Sequence, residues 1–118
     1  MTEEKPLELA RKAGLLALSK KGFDVKILKM NELSTVCDYF VIASGDADVH
    51  VKAISNAIYD GLLDEGVKPY HREGTDSGNW VLLDYIDVVV HVFRDSLRTF
   101  YALEKLWGYA PIEELNDD

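Results

Sequence analysis

The sequence has one cysteine, Cys37, three prolines and no long hydrophobic run. One thiol cannot form an internal disulfide, and it excludes a zinc site built from several cysteines. An aliphatic run such as residues 88–90 is far shorter than the roughly 20 residues that a membrane-spanning helix needs. The sequence therefore predicts neither a disulfide scaffold nor a membrane protein.

Basic residues are also few: 13 Lys and Arg stand against 21 Asp and Glu, which gives a formal net charge of −8 with neutral His. Direct binding of nucleic acid needs a basic surface that neutralises phosphates, so we expect no direct sequence-specific nucleic-acid contact. An acidic surface suits a basic protein partner instead. Residues 1–6 resemble neither a signal peptide nor an Arg-rich transit peptide, which predicts a cytoplasmic protein.

The 118 residues have the length of one domain. Hydrophobic spacing and turn residues predict helices at residues 6–21, 48–65 and 95–107. Alternating or continuous apolar runs predict strands at residues 24–30, 39–44, 67–73, 80–84 and 87–93. This order predicts an α/β domain at residues 1–111, with a mixed sheet of about five strands flanked by helices. The acidic residues 112–118 are expected to form a frayed tail.

The predicted connections set the directions of the strands. A helix lies between strands 39–44 and 67–73, which predicts a right-handed parallel crossover. The short turn between strands 80–84 and 87–93 predicts an antiparallel hairpin. Pro69 places strand 67–73 at a sheet edge or beside a bulge, because proline cannot donate to a strand ladder.

The hairpin of residues 80–93 is the most informative stretch for function. In a strand, Trp80, Leu82 and Asp84 share one face. Trp and Tyr dominate binding hot spots, and carboxylates select an Arg- or Lys-rich partner. The residues alone leave two interpretations open, a partner contact surface and an ordinary amphipathic strand.

Catalytic and metal-binding patterns are weak. Asp46 and Asp48 invite a metal-dependent nucleotidyltransferase interpretation, because paired carboxylates can hold Mg²⁺ on a phosphate. Both lie in one turn at a predicted helix start, where an N-cap role for Asp46 and a helix-dipole role for Asp48 explain them. His50, His71 and His91 lack the spacing of metal ligands, so we expect no metal and no cofactor.

Four blocks of sequence occur in an order typical of one known family. They are DYFVIASG at 38–45, HVKAI at 50–54, WVLLDY with DVVVHVF at 80–93, and RTFYALEKLW at 98–107. Together they resemble the ribosomal silencing factor family, also called RsfS or Iojap, over most of residues 7–111.

The resemblance implies a fold related to nucleotidyltransferases without their active site, and a function that is not enzymatic. It implies binding to the large ribosomal subunit through its fourteenth protein, a basic protein on the subunit-joining face. The bound factor would block the small subunit and repress translation, in starvation or during assembly, and members can form homodimers. The alternatives are a metal-dependent nucleotidyltransferase-like enzyme and a dimeric adaptor for another basic partner.

Carried over by position, the resemblance implies a partner-binding site at the hairpin. The expected contact residues are Trp80, Asp84, Tyr85, Asp87, His71 and Glu73. Trp80 and Tyr85 would be anchors, and the hairpin carboxylates would pair with Arg or Lys of the ribosomal protein. The family usually has Gly where this chain has Ile86. Because a β-branched residue resists positive φ, we expect a different turn and a changed orientation of Tyr85.

Overall fold

The structure, a computed structural model, describes residues 4–30, 37–96 and 112–115. Its helices are α1 (Glu4–Ser19) and α2 (Asp48–Leu63). Its strands are β1 (Phe23–Lys29), β2 (Tyr39–Gly45), β3 (His71–Glu73), β4 (Trp80–Asp84), β5 (Val88–Arg94) and β6 (Ile112–Leu115). The strands form one mixed sheet in the order β3-β4-β5-β2-β1-β6, which confirms the predicted α/β fold class.

Small apolar residues place α1 against the sheet. Ala10, Ala13 and Ala17 recur every three or four positions, and all three are fully buried. After Ser19 the chain reverses through Lys21, whose φ is 62°. The helix is thus shifted by two residues at each end from the predicted range of 6–21.

The start of α2 corrects one expectation about its cap. The N-cap is Ala47, with extended backbone and no side-chain cap hydrogen bond, rather than Asp46. The Asp46 carboxylate instead lies 3.0 Å from His50 Nδ1, because His50 stands one helical turn further along the chain. Within the described residues, no helix is long and apolar enough to cross a membrane.

The sheet topology confirms the predicted directions. β4 and β5 form the predicted antiparallel hairpin, and β3 pairs antiparallel with β4 at the sheet edge. β5 and β2 are parallel, so β3 runs in the same direction as β2. The helical connection through α2 therefore joins two strands of like direction, although β4 and β5 lie between them.

Both faces of the central strands are buried. On one face the sheet packs against α1 and α2 through residues such as Val41, Ile54 and Ile58. The other face has a separate apolar cluster that includes Leu28, Ile42 and Phe93. This double burial explains why the sequence of β2 is apolar on both faces. The predicted helix at 95–107 is helical at residues 95 and 96, and its remainder lies outside the described residues.

The strand β6 corrects the expectation of a frayed tail after residue 111. Ile112–Leu115 pairs antiparallel with β1 and makes a sixth strand where about five had been expected. Arg11 of α1 donates two hydrogen bonds of 2.8 Å to the Glu113 carboxylate. Leu115 packs on the α1 side of the sheet at Gly14, which has no Cβ to obstruct it. Acidic composition alone did not reveal these tertiary contacts.

Candidate protein-contact surface

Four of the six predicted contact residues lie on one face of the sheet at its β3–β4 edge. In the antiparallel pair, His71 lies opposite Asp84 and Glu73 lies opposite Leu82. Directly opposed residues share a face, so His71, Glu73 and Asp84 face the same side as Trp80. The edge position of β3 leaves His71 and Glu73 exposed, and His71 Nε2 lies 2.6 Å from Glu73 Oε2.

The side chain of Trp80 is half-buried and packs against its neighbours on β5. Its Nε1–H donates to His91 Nδ1 over 3.1 Å, and its ring stacks on Phe93 with a centroid separation of 5.0 Å. These contacts hold the indole flat against the sheet. Trp80 can therefore offer one edge to a partner while the rest of the ring supports the sheet face.

The partner of Trp80, His91, is a buried core histidine. Its Nδ1 accepts the Trp80 hydrogen bond, which leaves the proton of the neutral ring on Nε2. Nε2 is buried and has no hydrogen-bond partner among the described residues. Burial lowers the pKa of His91 to about 4, so the ring is neutral at neutral pH.

Tyr85, the other expected anchor, is buried on the opposite side of the sheet. Its side chain is only 7% exposed and belongs to the cluster that packs under α1 and α2. Burial raises the pKa of its hydroxyl to about 12, and the nearby Tyr59 adds to the shift. Tyr85 therefore supports the hairpin from the face of the sheet that the helices cover, and it exposes little surface to a partner.

The expectation that Ile86 would change the conformation of the hairpin turn is wrong. Ile86 adopts a φ of 75°, in the left-handed region that a glycine would occupy freely. The Asp84 carboxylate accepts the Ile86 N–H at 2.8 Å, and the Asp87 N–H donates to the Tyr85 carbonyl at 2.9 Å. Two further backbone N–H groups, of Asp38 and Tyr39, donate to the Asp87 carbonyl. These bonds hold the turn despite the strain.

Two large apolar side chains near this end of the sheet are exposed, and sequence reasoning missed both. Tyr70, just before β3, is 77% exposed, and Ile86 is 58% exposed. The backbone of each is hydrogen-bonded to Asp84, since the Tyr70 N–H donates to the Asp84 carbonyl at 2.7 Å and the Ile86 N–H donates to the Asp84 carboxylate at 2.8 Å. The signal available in the sequence was weak, because an isolated aromatic or aliphatic residue is common on protein surfaces.

Negative charge gathers at the same end of the sheet. Cys37 is buried there, and its pKa is raised to about 11, first by burial and then by the charges of Asp38, Asp84 and Asp87. Asp84 and Asp87 belong to the same hairpin, and the fold brings Asp38, just before β2, beside them, since the Asp38 N–H donates to the Asp87 carbonyl at 2.7 Å. The result is an acidic surface around the exposed turn.

Comparison with known proteins identifies the family. The family model described as ribosomal silencing factor during starvation matches residues 3–118. The chain belongs to the ribosomal silencing factor family. This confirms the resemblance inferred from the four sequence blocks.

Individual members of the silencing factor family are similar to this chain in sequence and in structure. It is 44% identical to ribosomal silencing factor RsfS of Bacillus subtilis over 97 residues, which cover 82% of each chain. It is 38% identical to RsfS of Halalkalibacterium halodurans over 115 residues, which cover 98% of this chain and 96% of the relative. A solved structure from Chromobacterium violaceum is 36% identical, with a TM-score of 0.84 over 86% of this chain and 85% of that one.

The paired carboxylates that invited a metal-dependent interpretation have structural contacts in this fold. No three His, Cys, Asp or Glu side chains there are close enough to hold a metal ion. Asp48 Oδ1 accepts the N–H of Val49, and Asp46 pairs with His50, so both carboxylates have local structural contacts. The relatives are named as ribosomal silencing factors, which is a regulatory role.

A small pocket lies at the opposite edge of the sheet from β3. It has a volume of about 330 Å³ and is lined by α1, β1, β2 and β6 residues that include Arg11, Lys29 and Tyr39. The ion pair of Arg11 and Glu113 forms part of its lining. This pocket is separate from the hairpin surface, and none of the predicted contact residues lines it.

Proposed function

We propose that this chain binds the large ribosomal subunit through its fourteenth protein and prevents the small subunit from joining. Translation is repressed as a result, because ribosomes cannot assemble for initiation. The family match over residues 3–118 is the observation that carries the proposal. Such a role requires the chain to share a compartment with ribosomes, which we take to be the cytoplasm.

The predicted residues divide into two roles in this proposal. Asp84, Asp87 and Glu73 offer carboxylates to Arg and Lys of the ribosomal protein, and His71 orients Glu73 through their 2.6 Å contact. Trp80 contributes its exposed edge. Tyr85 acts mainly by supporting the turn from the buried side.

The charge balance supports a basic partner. A net charge of −8 attracts a basic surface over distances near the Debye length, about 8 Å at physiological salt. Such attraction speeds encounter and weakens as salt screens it. Binding to the ribosomal protein is therefore expected to become slower and weaker as the salt concentration rises.

Sedimentation with purified ribosomal subunits tests the proposal. We expect the protein to travel with the large subunit alone and to reduce the fraction of joined ribosomes when both subunits are mixed. Protein that stays at the top of the gradient even at low salt would refute the function. Sedimentation equilibrium of the free protein tests the associated expectation of a homodimer, and a single monomer mass at micromolar concentration would refute it.

Charge-matched variants test the role of the carboxylates. Asp87→Asn and Glu8→Gln each remove one negative charge, but Glu8 lies on α1, away from the hairpin. We expect Asp87→Asn to weaken large-subunit binding and to reduce its dependence on salt, whereas Glu8→Gln should have little effect. Equal effects of the two variants would mean that only net charge matters, which would remove Asp87 from the contact surface.

A further inference from the structure

The pocket near the β6 edge of the sheet has one wall that is made by three neighbouring strands. Lys29 of β1 lies directly opposite Tyr39 of β2, so the two side chains share one face of the sheet. Ile27 lies two residues before Lys29 and therefore shares that face, and Glu113 of β6 lies opposite Ile27. Tyr39 belongs to the apolar cluster that packs against α1, which identifies this face as the one that α1 covers.

The helix α1 provides the other wall of the pocket. Its lining residues Leu7 and Arg11 are one helical turn apart. Arg11 donates from Nε and Nη2 to the two oxygens of the Glu113 carboxylate, each at 2.8 Å, so this ion pair is satisfied within the chain. Leu7 and Ile27 contribute apolar side chains to the lining. The cavity of about 330 Å³ therefore combines apolar walls with charged groups.

Two polar side chains of the lining have no protein partner for their functional groups. Tyr39 is only 4% exposed, yet its hydroxyl forms no hydrogen bond with any of the described residues. Lys29 forms no ion pair within the same part of the chain. A tyrosine hydroxyl and a lysine ammonium are both hydrogen-bond donors. An acceptor on a ligand in the pocket would therefore find two uncommitted donors on adjacent strands.

The charge of the lining favours an anion of low charge. Arg11 and Lys29 stand against one carboxylate, that of Glu113, which leaves a net charge of +1 in a chain whose overall charge is −8. Ligand pockets are typically mostly apolar, with a few polar groups that orient the ligand, and have volumes of about 300–1,000 Å³. This pocket lies at the lower end of that range, so it suits a small molecule with one negative charge and an apolar body.

We propose that this pocket binds a small monocarboxylate with an apolar body. The ligand carboxylate accepts hydrogen bonds from the Tyr39 hydroxyl and the Lys29 ammonium, and the apolar body packs against Leu7 and Ile27. The inference does not depend on the proposed function, because the pocket lies toward the β6 edge of the sheet and the hairpin surface lies at the β3 edge.

Titration of the full chain with hexanoate, followed by amide ¹H–¹⁵N correlation spectra at constant ionic strength, tests the site. We expect the largest shifts at residues 27–29 and 39, with a dissociation constant on the order of 1 mM for a ligand of this size. Hexanamide has the same size without the charge, and it should bind about tenfold more weakly or worse. Equal binding of the two compounds, or shifts that lie elsewhere in the chain, would overturn the proposal.

Three variants test the two donors. Tyr39→Phe removes a hydroxyl that has no protein partner, so the variant should fold normally and bind hexanoate about tenfold more weakly. Lys29→Gln should weaken binding about threefold to fivefold, as expected for a partly exposed ion pair. Lys68→Gln removes the same charge between α2 and β3, away from the pocket, and should bind within about twofold of the wild type.

Each outcome of the variant series decides the assignment. Hexanoate binding that both pocket variants retain within about twofold would overturn it. An equal loss in Lys68→Gln would also overturn it, because the effect would then come from net charge alone. If Lys29→Gln lowers stability, Tyr39→Phe still tests the site, since its hydroxyl supports no contact in the described fold. None of these results changes the sedimentation test of the silencing function.

Discussion

The strained turn at Ile86 makes a prediction about stability that reverses the usual ranking of alanine and glycine. At an ordinary position, glycine is less stable than alanine by roughly 0.5–1 kcal/mol because it loses more freedom on folding. At φ 75°, however, a Cβ costs roughly 1–2 kcal/mol through its clash with the backbone. We therefore expect Ile86→Gly to be more stable than Ile86→Ala by about 0.5–1 kcal/mol.

Comparing Ile86→Gly with Ile86→Ala cancels the stability that both variants lose with the burial of the Ile86 side chain. Both lose the same partial burial of Ile86, worth about 1 kcal/mol for a side chain that is 58% exposed. Relative to the wild type, Ile86→Gly should consequently lie within about 1 kcal/mol, since relief of strain offsets that loss.

Urea unfolding followed by circular dichroism measures the difference. The two midpoints should differ by about 0.5 M, from a slope of roughly 1–3 kcal/mol per molar urea. The same pair of substitutions at Leu15, in the middle of α1, should give the ordinary ranking, with alanine more stable by about 1 kcal/mol. A midpoint for Ile86→Ala equal to or above that of Ile86→Gly would refute the argument from strain.

Three further predictions concern buried groups and packing. Folded His91 has a pKa of about 4 against 6.5 in the unfolded chain, so the unfolded chain binds the proton first as pH falls. The free energy of unfolding should then fall by about 1.4 kcal/mol for each pH unit between pH 6.5 and pH 4. In His91→Gln, the urea midpoint should decrease less steeply as the pH falls. The raised pKa of Cys37, about 11, predicts alkylation at pH 8 that is about two hundred times slower than in urea-unfolded protein, and equal rates would contradict it. Gly14→Ala should raise the free energy of unfolding by up to about 1 kcal/mol in a Leu115→Ala background, where only Val25 crowds the new methyl group, and by clearly less in the wild type, where the methyl group also meets Leu115.

The regular elements of the fold were predictable because their sequence patterns follow burial directly. Val51, Ile54, Ile58 and Leu62 recur at helical spacing, and all four are fully buried in α2. β2 is apolar on both faces because it lies in the middle of the sheet. The predicted strand 67–73 is only His71–Glu73 in the structure; it lies at the sheet edge as expected, and it begins after Pro69, which cannot donate to a strand ladder.

The strand β6 was not predictable from its own residues. Ile112–Leu115 is short and acidic, and such a segment usually stays in solvent. Its stability comes from β1, Arg11 and the space above Gly14, none of which is near it in sequence. Likewise, α2 begins at Asp48 with Ala47 as its N-cap, and the Asp46 carboxylate lies next to His50 instead of capping the helix.

The candidate site, like the fold, could be predicted only in part from the sequence. Period-two alternation correctly placed Trp80 and Asp84 on one face, and the neighbouring strand brought His71 and Glu73 beside them. Alternation predicts the face on which a side chain lies, but not how much of that side chain is buried. Trp80 is partly covered by its contacts with His91 and Phe93, whereas Tyr85 is packed in the cluster under the helices.

The sequence by itself determined the α/β class, the acidic balance, most of the elements and the family, because each of these depends on local pattern or on short blocks of residues. The tertiary structure alone decided which side chains reach solvent near the hairpin turn. It left Tyr70 and Ile86 exposed, and it held Ile86 at a φ that its own side chain disfavours. Exposure and strain depend on what packs around a residue, and the chain order does not contain that information directly.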